Sequence, residues 1–360
     1  MQPVGGMLRL ARQRKGFHQK DAAPLLGVEQ PLLSRIENEL AQPSEETLHR
    51  AARVYEVPRT FFFMTDTIYG PPVSVHAMWR KKADVSARDM DAIVAELNIR
   101  SMHLRRFMEG VELKTKADIP KLDIEEYKDV ERIAAIVRAH WKVPSGPVKN
   151  LTLLVERAGI VVMFSALANT SVSGVTFSIP GMLPIILLNE EQPADRVRYT
   201  LAHEIGHLVM HRFPSLHMED EANAFASAFL MPANDIRSAF LGRNIDLPVL
   251  GALKPEWRVS MQSLLIRAST LGFVPKGRQQ YLWKQINANG LRLREPPQFD
   301  FTRETPTIMQ RIFDIHRTAL RYSDDELARM LNVNKAEMVA MYSTPPATND
   351  NSRPKFTIMT

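Results

Sequence analysis

The sequence predicts a mainly α-helical protein with one small β-sheet, an α+β arrangement. Three observations lead there. Apolar residues recur at helical spacing through residues 4–64, 86–141 and 250–343. Only residues 160–188 hold short β-branched runs, separated by Gly, Ser, Asn and Pro. Just after them comes His203-Glu204-Ile205-Gly206-His207, inside a run from Tyr199 to His211 that reads as one continuous helix.

Taken in order, residues 1–66 form a first unit of short helices. Their apolar positions are Met7, Leu8, Leu10 and Ala11, then Ala22, Ala23, Leu25 and Leu26, then Leu32, Leu33 and Ile36, then Leu48, Ala51 and Val54. Ser44 before Glu45-Glu46 is an N-cap with an acidic first turn. Gly70-Pro71-Pro72 marks a boundary. Residues 67–145 are expected as a helical linker with helices over 86–110, amphipathic and basic, and 123–141. Residues 146–245 hold a helix over 151–158 and strands over 160–164, 171–177 and 184–188. The His203 helix follows, then a helix over 219–231 stopped by Pro232. Residues 246–345 read as a C-terminal helical region and residues 346–360 as a disordered tail.

Bulk properties narrow the chemistry. At 360 residues the chain has room for several domains, and 45% hydrophobic with 24% charged residues is ordinary for a globular protein. A net charge of +6 permits an anionic partner without requiring one. The absence of cysteine excludes disulfides, thiol nucleophiles and Cys-ligated zinc, so any zinc must be held by His and carboxylate. The first residues reach Arg9, Arg12 and Arg14 without the apolar run of a secretory signal, and residues 183–188 are far too short to span a bilayer. A cytoplasmic protein with no membrane contact is the expectation.

On a helix, residues four apart share a face, so His203 and His207 can aim their imidazoles at one point. Zinc accepts two such nitrogens, and Glu204 beside them suits a general base toward a water activated by the ion. A catalytic site needs a third protein ligand. The next helix offers Glu219 and, one turn on, Asn223, with Ala222 and Ala226 keeping that face small. Glu219 is the expected ligand, Glu221 the runner-up, and Asn223 is expected to hydrogen-bond a histidine ring from behind. Met210 and Phe213 stand where a three-histidine pattern needs a glycine and a histidine, which excludes that version. His211 remains a weaker alternative, because three successive i+4 histidines drift around a helix. Tyr199, Arg198 and His217 are candidates to stabilise an oxyanion.

These residues carry a resemblance. Arg196, Arg198-Tyr199-Thr200-Leu201-Ala202 before the histidine motif, then Glu219, Glu221-Ala222-Asn223, Phe225-Ala226 and Leu230-Met231-Pro232, resemble the ImmA/IrrE family of zinc metallopeptidases. Gly174-Val175, Trp257-Arg258-Val259-Ser260 and Arg267-Ala268 extend the likeness over roughly residues 145–300. It implies a zincin-like peptidase domain, Zn2+ as cofactor, Glu219 as third ligand, and a protein substrate that is a helix-turn-helix repressor or an antitoxin.

At the other end, Gln19, Ala23, Gly27-Val28, Gln30, Ser34-Arg35, Glu37 and Pro43-Ser44 resemble the phage-repressor (XRE) helix-turn-helix, a five-helix domain. A Gly-permitted turn sets two helices across each other, and the second enters the major groove by its N-terminus. Gln30 is the expected base reader, with Gln19, Ser34 and Arg35 on phosphates. Glu29, Leu32, Pro31, Pro24 and Glu39 depart from the pattern. Arg80-Lys81-Lys82, Arg100 and Arg105-Arg106 read as a solvated basic face, and residues 323–333 as a packing helix pair. The expected protein is a DNA-binding transcriptional regulator carrying a zinc endopeptidase domain, with a DNA operator as partner and a homodimer as its assembly. The alternatives are a regulator whose zincin-like domain only senses a metal, ligand or partner, and an antitoxin-like binding component.

Overall fold

The computed structural model describes residues 4–72, 86–167, 172–343 and 355–358. Arg80-Lys81-Lys82 and Ser171 lie outside the described residues. Helices α1 (Gly5–Arg14), α2 (Gln19–Leu26), α3 (Gln30–Glu37) and α4 (Glu45–Val54), with a 3-10 turn at Arg59–Phe63, make up the N-terminal domain. Leu8, Leu26, Leu33, Ile36 and Phe62 form its core. Pro24 sits inside α2 without ending it. Glu39, where the helix-turn-helix pattern has a glycine, adopts φ 59°. Its carboxylate accepts the Gly5 and Gly6 backbone N–H groups at 2.7 and 3.1 Å, so a strained turn residue caps α1.

The helix Ala87–Met108 is not the solvated basic face expected of it. Ala95, Ile99 and Met102 complete the N-terminal core, while Ile93, Leu97, Leu104 and Phe107 join a second core with the C-terminal helices. Enclosed on both sides, its charges are neutralised in pairs. Glu96 accepts Arg100 Nε at 2.6 Å and Arg14 Nε, from α1, at 2.7 Å, and Arg14 also reaches Glu337 at 2.5 Å. Arg106 pairs with Asp66 at 2.5 Å.

Strands β2 (Val161–Ser165), β3 (Gly174–Phe177) and β4 (Ile185–Asn189) form a sheet of order β2-β4-β3, β2 parallel and β3 antiparallel to β4. Every β4 residue is buried because helices cover both faces. Val162, Ile186 and Leu188 enter the core that also holds Leu201 and Ile205, and Val161, Leu187 and Val175 the core shared with the helix Ala87–Met108. The expected tail and linker are corrected in part. Residues 355–358 form β5 (Lys355–Ile358), antiparallel to β1 (Val111–Lys114). Four-residue strands carry too little periodicity to be read alone, and each needs its distant partner. The helix expected over 123–141 is broken at Lys128, φ 52°, into Ile124–Tyr127 and Val130–His140.

Two helices position the site, Ala194–Met210 (the histidine helix) and Met218–Leu230 (the acidic helix). They are tightly packed at Gly206, where an added Cβ would lie 3.1 Å from Phe225 Cδ1 and 3.3 Å from Ala222 Cα. Gly206→Val is therefore expected to cost about 1–3 kcal/mol by overpacking, read by urea denaturation. The same substitution should lower metal affinity by spreading the helices. Toward the C-terminus, Asp324–Leu331 and Lys335–Tyr342 pack as a helix pair, with Leu331 and Met338 buried in the core they share with the helix Ala87–Met108. No helix among the described residues is long and apolar enough to cross a membrane.

Candidate metal centre and helix-turn-helix face

The histidine helix carries His203 and His207 one turn apart, with Nε2 atoms 3.0 Å from each other. The acidic helix delivers Glu219 to the same point, Oε1 lying 3.1 Å from His207 Nε2 and Oε2 3.7 Å from His203 Nε2. Zinc holds such donors at about 2.0–2.2 Å, which in a tetrahedron separates neighbouring donors by roughly 3.3 Å. The observed separations bracket that value, so this donor set fits a divalent ion. It is the one three-residue group of ligand type found among the described residues.

The supporting contacts sort the other candidates. Asn223, one turn after Glu219, places Oδ1 3.1 Å from His203 Nδ1, behind the ring. Glu204 is buried, and its Oε2 accepts the Thr176 hydroxyl at 2.6 Å. Burial pushes the Glu204 carboxyl above the ordinary range and Glu219 adds to that, while His207 and Thr176 oppose it. Thr176, on β3, is absent from the sequence reading: one threonine in a buried strand looks like any other β-branched residue. His211 stands outside the three-donor group. It caps the histidine helix with extended backbone, and its ring meets His207 Nδ1 on one side and Glu221 on the other. Glu221, the alternative ligand, is thereby turned away from the three donors.

Two of the three oxyanion candidates are engaged elsewhere. Arg198 is buried against Glu304 and the Val148 carbonyl, and the Tyr199 hydroxyl donates to the Asn223 carbonyl at 2.9 Å. His217 is exposed at the start of the acidic helix. A cleft of ≈ 680 Å³ opens beside the centre, lined by Thr176, Phe177, His207 and His211 and, from outside that domain, by Tyr69 and Pro71.

In the N-terminal domain, Gln30 and Arg35 are exposed on α3 and Ser34 is half-buried. Gln19 is tied inward, its Nε2 donating to Glu37 at 2.8 Å while its Oε1 accepts Gln30 Nε2 at 3.0 Å. Glu37 is buried and held by a two-point pair with Arg12, at 2.6 and 2.8 Å. Arg14, Lys15, Arg50 and Arg59 also face carboxylates, while Lys20, Arg35 and Arg53 are exposed. Leu32 is exposed at 40% on the same end of α3 as Gln30.

Residues 155–269 match the family model described as IrrE N-terminal-like domain, peptidase M78. Residues 4–60 match the one described as Helix-turn-helix domain. No curated protein matches the chain. Among solved structures, Bacillus thuringiensis PlcR in complex with the peptide PapR7 and DNA aligns over 95% of this chain and 96% of its own, at 11% identity. Its TM-score is 0.17, too low to support a structural argument. The chain thus joins an N-terminal helix-turn-helix domain to an IrrE N-terminal-like domain of the M78 peptidase type.

Proposed function

We propose that this protein is a cytoplasmic, DNA-binding transcriptional regulator whose second domain is a zinc-dependent endopeptidase acting on a partner helix-turn-helix repressor or antitoxin. The observation that carries the reading is the meeting of His203, His207 and Glu219 with Glu204 buried beside them. Those three side chains would hold the ion. When bound, zinc polarises the scissile carbonyl and acidifies a water molecule. Glu204 takes the proton from that water and passes it to the leaving amine. Its raised proton affinity suits both halves of that transfer, and Thr176 keeps its carboxylate oriented. Asn223 accepts from His203 Nδ1–H and so leaves Nε2 for the ion. Among the described residues β3 has a neighbour on one side only, so its outer edge would offer backbone groups to an extended substrate next to Glu204.

On the DNA side, α3 enters the major groove with Gln30 toward a base edge and Ser34 and Arg35 toward phosphates. Gln19 supports Gln30 as well as meeting the backbone. A homodimer on a two-fold operator fits this class of module.

The test is incubation of the zinc-loaded full-length protein, wild type and Glu204→Gln, with the repressor-like product of a neighbouring gene. Cleavage by wild type, reduced at least a hundredfold in Glu204→Gln, is the expected result. An intact partner in both reactions, at equal zinc content, would leave the domain as a sensor and overturn the peptidase reading.

A further inference from the structure

His207 and His211 turn the same ring atom toward each other, Nδ1 to Nδ1 at 2.9 Å. At that distance one proton must lie between them, since two lone pairs or two N–H groups would repel. His207 Nε2 faces Glu219 at 3.1 Å and His203 Nε2 at 3.0 Å. On the reading above it is the atom that binds the ion, so it carries a lone pair. A neutral His207 then bears its proton on Nδ1 and donates it to His211 Nδ1. A neutral His211 in turn bears its proton on Nε2, which lies 3.1 Å from Glu221 Oε2.

We infer that His211 and Glu221 are positioning residues for the metal centre, a relay in which Glu221 accepts from His211 Nε2–H and His211 Nδ1 accepts from His207 Nδ1–H. The inference rests on His203, His207 and Glu219 being the ligands. Each proton place follows from the one before it, from the ion outward to the carboxylate.

The backbone explains how the relay is built. His211 lies where the histidine helix ends, with φ −110° and ψ 104°, so its ring leaves the helical face and reaches the back of His207. Its side chain is 3% exposed, which keeps water from replacing either contact. Asn223 does for His203 what this pair does for His207, and each ligand ring has its outer nitrogen held. The two residues that compete with Glu219 on sequence grounds thus have a different task. They orient His207, and the terminal carboxylate makes its Nε2 a stronger donor to the ion.

Long-range 1H–15N correlation spectra of the zinc-loaded protein, labelled at histidine and assigned with variants, read the tautomers directly. The expected result is a proton on His207 Nδ1 and on His211 Nε2. A proton on His211 Nδ1 would overturn the relay. Zinc affinity, measured by competition with a chromophoric chelator, supplies a second readout. His211→Leu removes both contacts and should weaken binding about 10- to 100-fold. His211→Gln keeps an acceptor on one side and a donor on the other, so it should stay within about threefold of wild type. Equal zinc affinity in His211→Leu and wild type overturns the inference, as does a Gln variant as weak as Leu. A wild-type protein that binds no zinc overturns the ligand reading itself. The wild-type spectrum decides the matter even where His211→Leu does not fold.

Discussion

Glu219→Ala is expected to bring bound zinc from about one ion per chain to none that survives desalting, while Glu221→Ala keeps the ion. Two histidines on adjacent turns offer an ion two points on one helix, and the third comes across the interface at Gly206. Without that carboxylate the ion keeps two imidazoles and exchanges with solvent, whereas a catalytic zinc site has three protein ligands. The loss also shows as stability. Zinc at a hundredfold above its dissociation constant adds about 2.7 kcal/mol to the folded wild type, and Glu219→Ala should gain none of it. Metal analysis and thermal melts with and without zinc check both statements. Stoichiometric zinc in Glu219→Ala, with loss in Glu221→Ala, would exchange the roles of the two carboxylates.

The second large effect is expected at Glu96, the buried carboxylate between Arg100 of its own helix and Arg14 of α1. Glu96→Ala leaves Arg100 enclosed without its carboxylate and Arg14 with Glu337 alone, and should cost about 3–5 kcal/mol. Because Arg14 comes from the N-terminal domain, that loss should also loosen the domain from the rest of the chain. Limited proteolysis then cuts after residue 66 sooner than in wild type. Acid behaviour gives an independent measure. Burial pushes the Glu96 carboxyl up, but Arg100 and Arg14 outweigh it and hold it at about 2, below the ordinary 4.5. Its stabilisation is complete above the unfolded-state value and is lost as pH falls toward about 2. Wild type should therefore lose about 3 kcal/mol from this group across that window, and Glu96→Gln should show a shallower acid limb. Parallel acid limbs in the two proteins would rule out the pairing.

The residues that could be read from sequence are those whose position depends on local geometry. His203, Glu204 and His207 belong together because any helix sets residues four apart on one face. The helix-turn-helix is legible because Gly27, with φ 71°, must open the turn between α2 and α3. Glu219 and Asn223 are an intermediate case: the one-turn spacing is local, but which carboxylate meets the histidines is set by how the two helices cross.

Packing alone decided the rest. The helix Ala87–Met108 carries charges that look solvated until two cores close on it, and burial then forces Arg100 and Glu96 into a pair. Thr176 reaches Glu204 because β3 lies at the sheet edge beneath the histidine helix. His211 meets the back of His207 because the helix ends one residue before it. Helical periodicity, set by backbone geometry, is written into the chain itself. Which side chains lose their water, and which of them must then find a partner, is settled only when distant segments meet.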